Sequence, residues 1–321
     1  MSGSAHRSAT TWRGVFPAVT AQFKSDAAMS LDLDATARVI GGLIDDGVSG
    51  LVINGTVGEN CSLSSHERLA ILETAIAVAG RRVPVLCGIA EYTTAGAVES
   101  ARAAAKLGAD GIMLMPAMVY TAKPFESVHH FRTVGTKVDL PVMVYNNPLI
   151  YKIDVTPGML VELQDVETIV CFKESSGDTR RFTDVINATG DRFILFAGLD
   201  DVVLESVLVG ATGWVSGMSN VFPREGETLF RLAAAGRYTE ALAIYRWFMP
   251  LLHLDARADL VQCIKLCEFL VGRGVHLTRP PRMPLEAENR EFVEKLVSTA
   301  IANRPTLPDV GIPLRTPFKN S

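Results

Sequence analysis

The chain has 321 residues, of which 48% are hydrophobic and 21% charged, and its net charge is −4. That balance supports a large buried core and offers neither a basic stripe for nucleic acid nor a polybasic patch for a membrane surface. No apolar run reaches membrane-spanning length and the polar stretch Ser2 to Thr11 has no apolar signal core, so the expected compartment is the cytoplasm. Five cysteines, Cys61, Cys87, Cys171, Cys263 and Cys267, lack paired metal-site spacing and read as reduced residues.

Residues 1–12 read as a disordered tail. Beyond them, short apolar runs alternate with helical patterns, and strands are expected over 16–20, 50–55, 84–90, 111–115, 141–145, 169–173, 193–197 and 214–216. The intervening helices end at glycines, among them Gly47, Gly80, Gly108, Gly190 and Gly210, as suits the left-handed position that closes a helix. Ser64 with Glu67 three residues later is a capping-box signature. By length alone two domains are possible. Eight runs, each followed by a helix, instead predict an α/β fold, a parallel (β/α)8 TIM barrel over 13–222 with its active-site groups at the strand carboxyl ends. Helical stretches over 223–236, 238–273 and 286–302 form a C-terminal helical extension, 223–303, packed on the barrel. The Pro-rich residues 304–321 read as an extended arm.

Lys173 ends the apolar, β-branched run Thr168-Ile169-Val170-Cys171-Phe172 and is followed by the loop Glu174-Ser175-Ser176-Gly177. A lysine there loses hydration, which favours a neutral amine able to attack a carbonyl or imine, although it could also snorkel out of the strand end. At the end of strand five, Tyr145-Asn146-Asn147-Pro148 puts a phenol beside that lysine, where it could move protons or simply pack. After strand two, Asn54-Gly55-Thr56-Val57-Gly58-Glu59 offers approachable backbone N–H groups and a hydroxyl, which suits a carboxylate and is also how a tight turn is made.

In this order and on these strands, Gly-Thr-x-Gly-Glu, Tyr-Asn-x-Pro and Lys-Glu-Ser-Ser resemble the dihydrodipicolinate synthase and N-acetylneuraminate lyase family, over residues 13 to about 300. The resemblance implies a class I aldolase-type barrel, usually a homotetramer, that forms a Schiff base with a 2-oxo acid or its equivalent. By it, Lys173 is the Schiff-base lysine and Tyr145 the proton-relay tyrosine. Thr56 with the amides of Gly55 and Val57 is the carboxylate cradle. The segment Gly213-Trp214-Val215-Ser216-Gly217 matches the family's strand eight, so Val215 and Ser216 are expected in the pocket wall.

Departures from the family pattern narrow the activity. Where a synthase commonly places an arginine for its second substrate's carboxylate, this chain has Ile150; where it has paired threonines, Thr56 is followed by Val57. The 116–120 segment, expected to supply a tyrosine to a neighbouring subunit, lacks the Tyr-Tyr pattern and leaves Tyr120 as a substitute. Tyr245-Arg246-Trp247-Phe248, the stretch from Asp255 to Leu266, residues 279–285 and the Tyr151 to Val155 segment look like the bacterial 1-pyrroline-4-hydroxy-2-carboxylate deaminases of hydroxyproline breakdown. That likeness implies a cyclic imine carboxylate as substrate, with ammonia and 2,5-dioxopentanoate as products. No cofactor and no metal are expected beyond the covalent lysine adduct, and neither G-x-G-x-x-G nor H-E-x-x-H occurs. A 2-keto-3-deoxy sugar acid dehydratase, a pyruvate-dependent aldolase or dihydrodipicolinate synthase, and a non-catalytic 2-oxo acid sensor remain as alternatives.

Overall fold

The computed structural model describes residues 10–117 and 120–311. Eight parallel strands follow the chain order β1 (Gly14–Pro17), β2 (Leu51–Ile53), β3 (Val85–Ile89), β4 (Gly111–Leu114), β5 (Val142–Asn146), β6 (Ile169–Glu174), β7 (Ile194–Ala197) and β8 (Gly213–Ser216). They pair in the spatial order β1-β8-β7-β6-β5-β4-β3-β2, and a parallel bridge from Ala18 to Val52 brings the last edge to the first. The expected TIM barrel is therefore present. Its strands read as continuous apolar runs because helices cover them outside and side chains fill them inside.

The helices are α1 (Leu33–Asp45), α2 (Ser65–Ala79), α3 (Thr94–Leu107), α4 (Pro124–Thr136), the short α5 (Pro148–Tyr151), α6 (Pro157–Leu163), α7 (Arg180–Thr189), α8 (Val203–Leu208) and α9 (Pro223–Ala234). Beyond them lie α10 (Tyr238–Leu252), α11 (Leu260–Leu270) and α12 (Ala287–Ala302). Local chemistry sets the ends: the capping box of Ser64 and Glu67 opens α2, and Gly80 and Gly108 close α2 and α3 in the left-handed region.

Three boundaries differ from the sequence reading. Trp12, placed in the tail by sequence, is buried and occupies the space a Cβ on Gly111 would need. Helix α9, assigned to the extension, belongs to the barrel wall: Glu227 accepts from the Val15 backbone N–H at 3.2 Å and from Ser49 Oγ at 2.7 Å, tying the helix across the start of β1. The stretch 238–273 is two helices, because Pro250 lies in the last turn of α10 and a 3-10 turn, His253–Ala256, redirects the chain before α11. Arg231 donates to the carbonyl of Val310 at 3.2 Å, so residues 304–310 run back along α9; residues 312–321 of the expected arm lie outside the described residues.

The pairing of β5 with β6 positions the site. Val142 pairs with Ile169 but Met143 pairs with Cys171, so Val170 is an extra residue on β6 and the register slips by one. A one-residue slip turns every later side chain to the other face of a strand. The slip makes Tyr145 the direct partner of Lys173, both facing the barrel interior; without it Tyr145 would pair with Phe172.

Candidate active site

Lys173 and Tyr145, each 5% exposed, meet at the carboxyl ends of β6 and β5 with the lysine Nζ 3.7 Å from the centre of the phenol ring. A Cβ built on Gly198, after β7, would overlap Ser175 Oγ and lie 2.8 Å from the Glu174 carbonyl and 2.9 Å from Lys173 Cε, so a glycine there lets the end of β6, the lysine included, pack against β7. Asn147 donates from Nδ2 to Tyr145 Oη at 3.0 Å while its Oδ1 caps α5 by accepting from the Ile150 N–H at 3.1 Å. The phenol is thereby oriented from the same short helix that brings Ile150 to the mouth.

The loop after β2 turns through left-handed residues at Asn54 (φ 59°) and Glu59 (φ 55°). It packs so close to β3 that a Cβ on Gly88 would overlap the Asn54 carbonyl, and it is held from outside by Lys265, whose Nζ pairs with Glu59 Oε1 at 2.8 Å. The result is that Gly55, Thr56 and Val57 line one cavity with Tyr145, Lys173 and Val215. The cavity is narrow: its empty space of about 450 Å³ includes the open mouth.

Of the residues expected from sequence, Ser216 is the exception. Val215 faces the cavity and strand alternation sends Ser216 the other way, where its buried Oγ donates to Asp200 Oδ2 at 3.3 Å and accepts from the Ser219 N–H at 3.0 Å. Tyr120 is also remote: it is 62% exposed and donates to Glu126 at 2.9 Å. The hydroxyl that meets Thr56 comes from elsewhere in this chain. Tyr151, at the end of α5, shares a hydrogen bond with Thr56 Oγ1 and stands edge-on to Tyr145, ring centres 5.6 Å apart. Burial, and then the neighbouring Tyr145, push the Tyr151 phenol well above its usual value. Thr56, Tyr151 and Tyr145 thus stand in sequence along the wall towards Lys173, Thr56 hydrogen-bonded to Tyr151 and the two tyrosine rings in edge contact. The sequence signal for it was a second tyrosine six residues after the first, on the far side of a Pro-started turn.

Asp255 completes the wall and has no counterpart among the expected site residues. It comes from the 3-10 turn between α10 and α11 and lines the cavity beside Lys173, Gly217 and Leu260. Burial raises its carboxyl; the positive charge of Lys173 and a hydrogen bond from the Asp200 backbone oppose that rise. Asp200, fully buried, accepts from Trp214 Nε1 at 2.9 Å and from the backbone N–H of Met218 at 2.7 Å, and burial followed by the nearby Asp255 pushes its carboxyl up too.

Fold and site together define a barrel with a lysine and a tyrosine at adjoining strand ends and a carboxylate closing the mouth. The sequence pattern of the Dihydrodipicolinate synthetase family matches residues 11–300, and the chain belongs to that family. It is 34% identical over 288 residues to 4-hydroxy-tetrahydrodipicolinate synthase of Exiguobacterium sibiricum, covering 90% of this chain and 97% of that one. With the synthase of Methanothrix thermoacetophila it shares 33% over 281 residues, 87% of this chain and 93% of the relative. Among solved structures it is similar to the 4-hydroxy-tetrahydrodipicolinate synthase of Methylacidiphilum fumariolicum SolV, with a TM-score of 0.87 and 26% identity over 91% of this chain and 97% of the other. It is similar also to YagE, a prophage protein of the dihydrodipicolinic acid synthase family from E. coli K12 in complex with pyruvate, with a TM-score of 0.85 and 28% identity over 91% of this chain and 99% of the other.

Proposed function

We propose that the chain is a lysine Schiff-base enzyme acting on a small acid with one carboxylate, and that its reaction is deamination of 1-pyrroline-4-hydroxy-2-carboxylate to 2,5-dioxopentanoate and ammonia. The observation that carries the lysine chemistry is the register pair of Tyr145 and Lys173 in the barrel mouth. Support for a single-carboxylate substrate comes from the wall: Ile150 stands at the mouth and the other ionisable group beside Lys173 is an acid, Asp255, so a second carboxylate there would find no cation of its own.

In the proposed reaction the Lys173 amine adds to C2 of the cyclic imine, the C2–N1 bond opens, and the ring nitrogen departs as a primary amine still attached through C5. The protonated Schiff base draws electrons, so a C3 proton leaves to Tyr145 and the C4–O bond then breaks with loss of water. The double bond moves to C4–C5 as a proton leaves C5 and Tyr145 returns its proton to C3. Hydrolysis there releases ammonia, and hydrolysis at C2 frees Lys173; one water is lost and two are consumed, a net uptake of one. No electron leaves the substrate, so the reaction as written draws on no redox cofactor.

The names of the curated relatives favour a second reading, condensation of pyruvate with aspartate semialdehyde. The two separate in one experiment. The protein is assayed side by side for ammonia and 2,5-dioxopentanoate from the hydroxypyrroline and for condensation of pyruvate with the semialdehyde, each with borohydride to trap an adduct on Lys173. A higher kcat/KM for deamination supports the first reading and a higher value for condensation replaces it. No trapped adduct with any substrate would remove both. A homotetramer belongs to the same proposal on the family likeness, and a monomer mass by light scattering would remove that part.

A further inference from the structure

We propose that Asp255 is a second acid and base of this site: it gives its proton to the substrate's 4-hydroxyl as the C4–O bond breaks, and takes a proton back from C5. This rests on the deaminase reading and names the group that reading leaves without a partner. Tyr145 and Lys173 sit together at two adjacent strand ends, and both act at C2 and C3. A departing hydroxide two bonds beyond needs its own proton, and Asp255 is the remaining acid in the wall.

Three features of its placement speak for a built position. Asp255 belongs to the C-terminal layer, carried in by the turn His253–Ala256 that interrupts what the sequence pattern runs as one helix. Gly217, immediately after β8, leaves open the space its carboxylate fills, for a Cβ on Gly217 would overlap Asp255 Oδ1. Gly198, after the neighbouring β7, likewise leaves room for the end of β6, meeting Ser175 Oγ, the Glu174 carbonyl and Lys173 Cε. The charged groups that bear on Asp255 are Lys173, the buried Asp200, whose backbone N–H it accepts from, and Asp201, itself paired with His253 at 2.9 Å. Burial favours its protonated form, the form that can donate, while the Schiff-base cation on Lys173 would stabilise the carboxylate left behind.

The step balances. The electron pair of the broken C3–H bond becomes the C3–C4 double bond, the C4–O pair leaves with oxygen, and the Asp255 proton makes that oxygen water. The resulting carboxylate then removes a proton from C5, the C5–H pair becomes the C4–C5 double bond, and the C3–C4 pair takes back at C3 the proton that Tyr145 had removed, which restores both acids.

The test uses Asp255→Asn and Asp255→Glu in the full chain. For Asp255→Asn, borohydride trapping of pyruvate on Lys173 should persist, as should deuterium uptake at C3 of the trapped-type adduct, while ammonia release from the hydroxypyrroline drops about 100-fold or more. Activity of the wild type should fall on the alkaline side as Asp255 loses its proton, a limb absent from the residual activity of Asp255→Asn, and Asp255→Glu should recover part of the rate. Near wild-type deamination by Asp255→Asn overturns the proposal, as does loss of C3 exchange in step with deamination, which would mark a purely positioning role. A wild type that traps pyruvate but releases no ammonia removes the substrate reading and this step with it. Failure of Asp255 alone shows as an active wild type and an equally active variant.

Discussion

The two ends of this barrel use glycine in the same way and for opposite purposes. At the amino ends of the strands, Gly111 leaves room for the Trp12 indole, Gly50 for the ring of Phe16 and Gly213 for the ring of Phe196; the last two rings meet edge-to-face at 5.2 Å. At the carboxyl ends Gly198 leaves room for the end of β6, Ser175 and Lys173 included, and Gly217 for Asp255. Filling the first set of gaps with rings removes apolar surface from water and stabilises the fold, by about 1.5–3 kcal/mol per buried side chain. Filling the second set with ionisable groups costs free energy unless partners are supplied. The floor is therefore where the chain gains stability, and the mouth is where it holds chemistry at the expense of some of it.

The largest effect expected from that division is at Lys173. Lys173→Ala should abolish turnover and borohydride trapping while the thermal midpoint stays the same or rises, because a buried amine is removed from an otherwise intact floor. Lys173→Arg should restore nothing, since a guanidinium stays charged. Turnover above a trace, with the label on another lysine, would break the comparison at its centre.

Next in size is the Thr56–Tyr151 hydroxyl pair beside Tyr145. Tyr151→Phe keeps the ring against Tyr145 but removes the group that meets Thr56, and kcat should drop about 100-fold with KM little changed. Tyr120→Phe should cost nothing in activity, since exposed Tyr120 bonds to Glu126 and is not among the cavity residues. If the two variants behave the other way round, the proton path enters from elsewhere.

The glycines themselves sharpen the contrast. Gly213→Ala presses a methyl into the Phe196 ring and should cost about 1–3 kcal/mol of stability, while the folded protein still traps pyruvate normally. Gly217→Ala presses on Asp255 and on Ile264 Cδ1 and should lose activity out of proportion to its stability. Melting curves and turnover measured on the same two preparations decide it: equal ratios of activity loss to stability loss would mean the ends are not specialised.

How far the sequence disclosed this division follows from the kind of signal each part leaves. The strands were legible because a parallel barrel buries both faces, leaving apolar runs between helices that end at glycines, and Lys173 was legible as a charge at the end of one. That Tyr145 stands directly opposite it depends on the one extra residue, Val170, which no periodicity marks. Ser216 could have been set aside by alternation once Val215 was placed in the wall. Asp255 was hidden because 238–273 carries enough helical pattern to read through the turn at 253–256, and only Pro250 hints at the break.

The smallest expected effect concerns pH, and it separates the ends by a different property. The mouth loop is buttressed by buried charge: Glu59 pairs with Lys265, and on the same helix Glu268 accepts from Thr20 Oγ1 at 2.6 Å. Burial pushes the Glu268 carboxyl up to about 7, against the opposing pull of the Thr20 hydrogen bond and the Lys265 charge. An unfolded glutamate titrates near 4.5, so between about 4.5 and 7 the folded chain holds a proton that the unfolded chain has released. Stability from this group is therefore present at low pH and is lost as pH rises through 7. Glu67, lowered to about 2 chiefly by Arg279, runs the other way, its contribution being lost only as pH falls below about 4.5, so the two windows do not overlap. Glu268→Gln keeps an acceptor for Thr20 and cannot titrate. Between pH 5 and pH 8 the wild type should lose up to ~3 kcal/mol that the variant keeps, a bound set by the size of the shift. Thermal midpoints of both proteins at the two pH values, at one ionic strength, give the difference directly. Parallel lines would show that Glu268 ionises without cost, and that the mouth is buttressed by something other than buried charge.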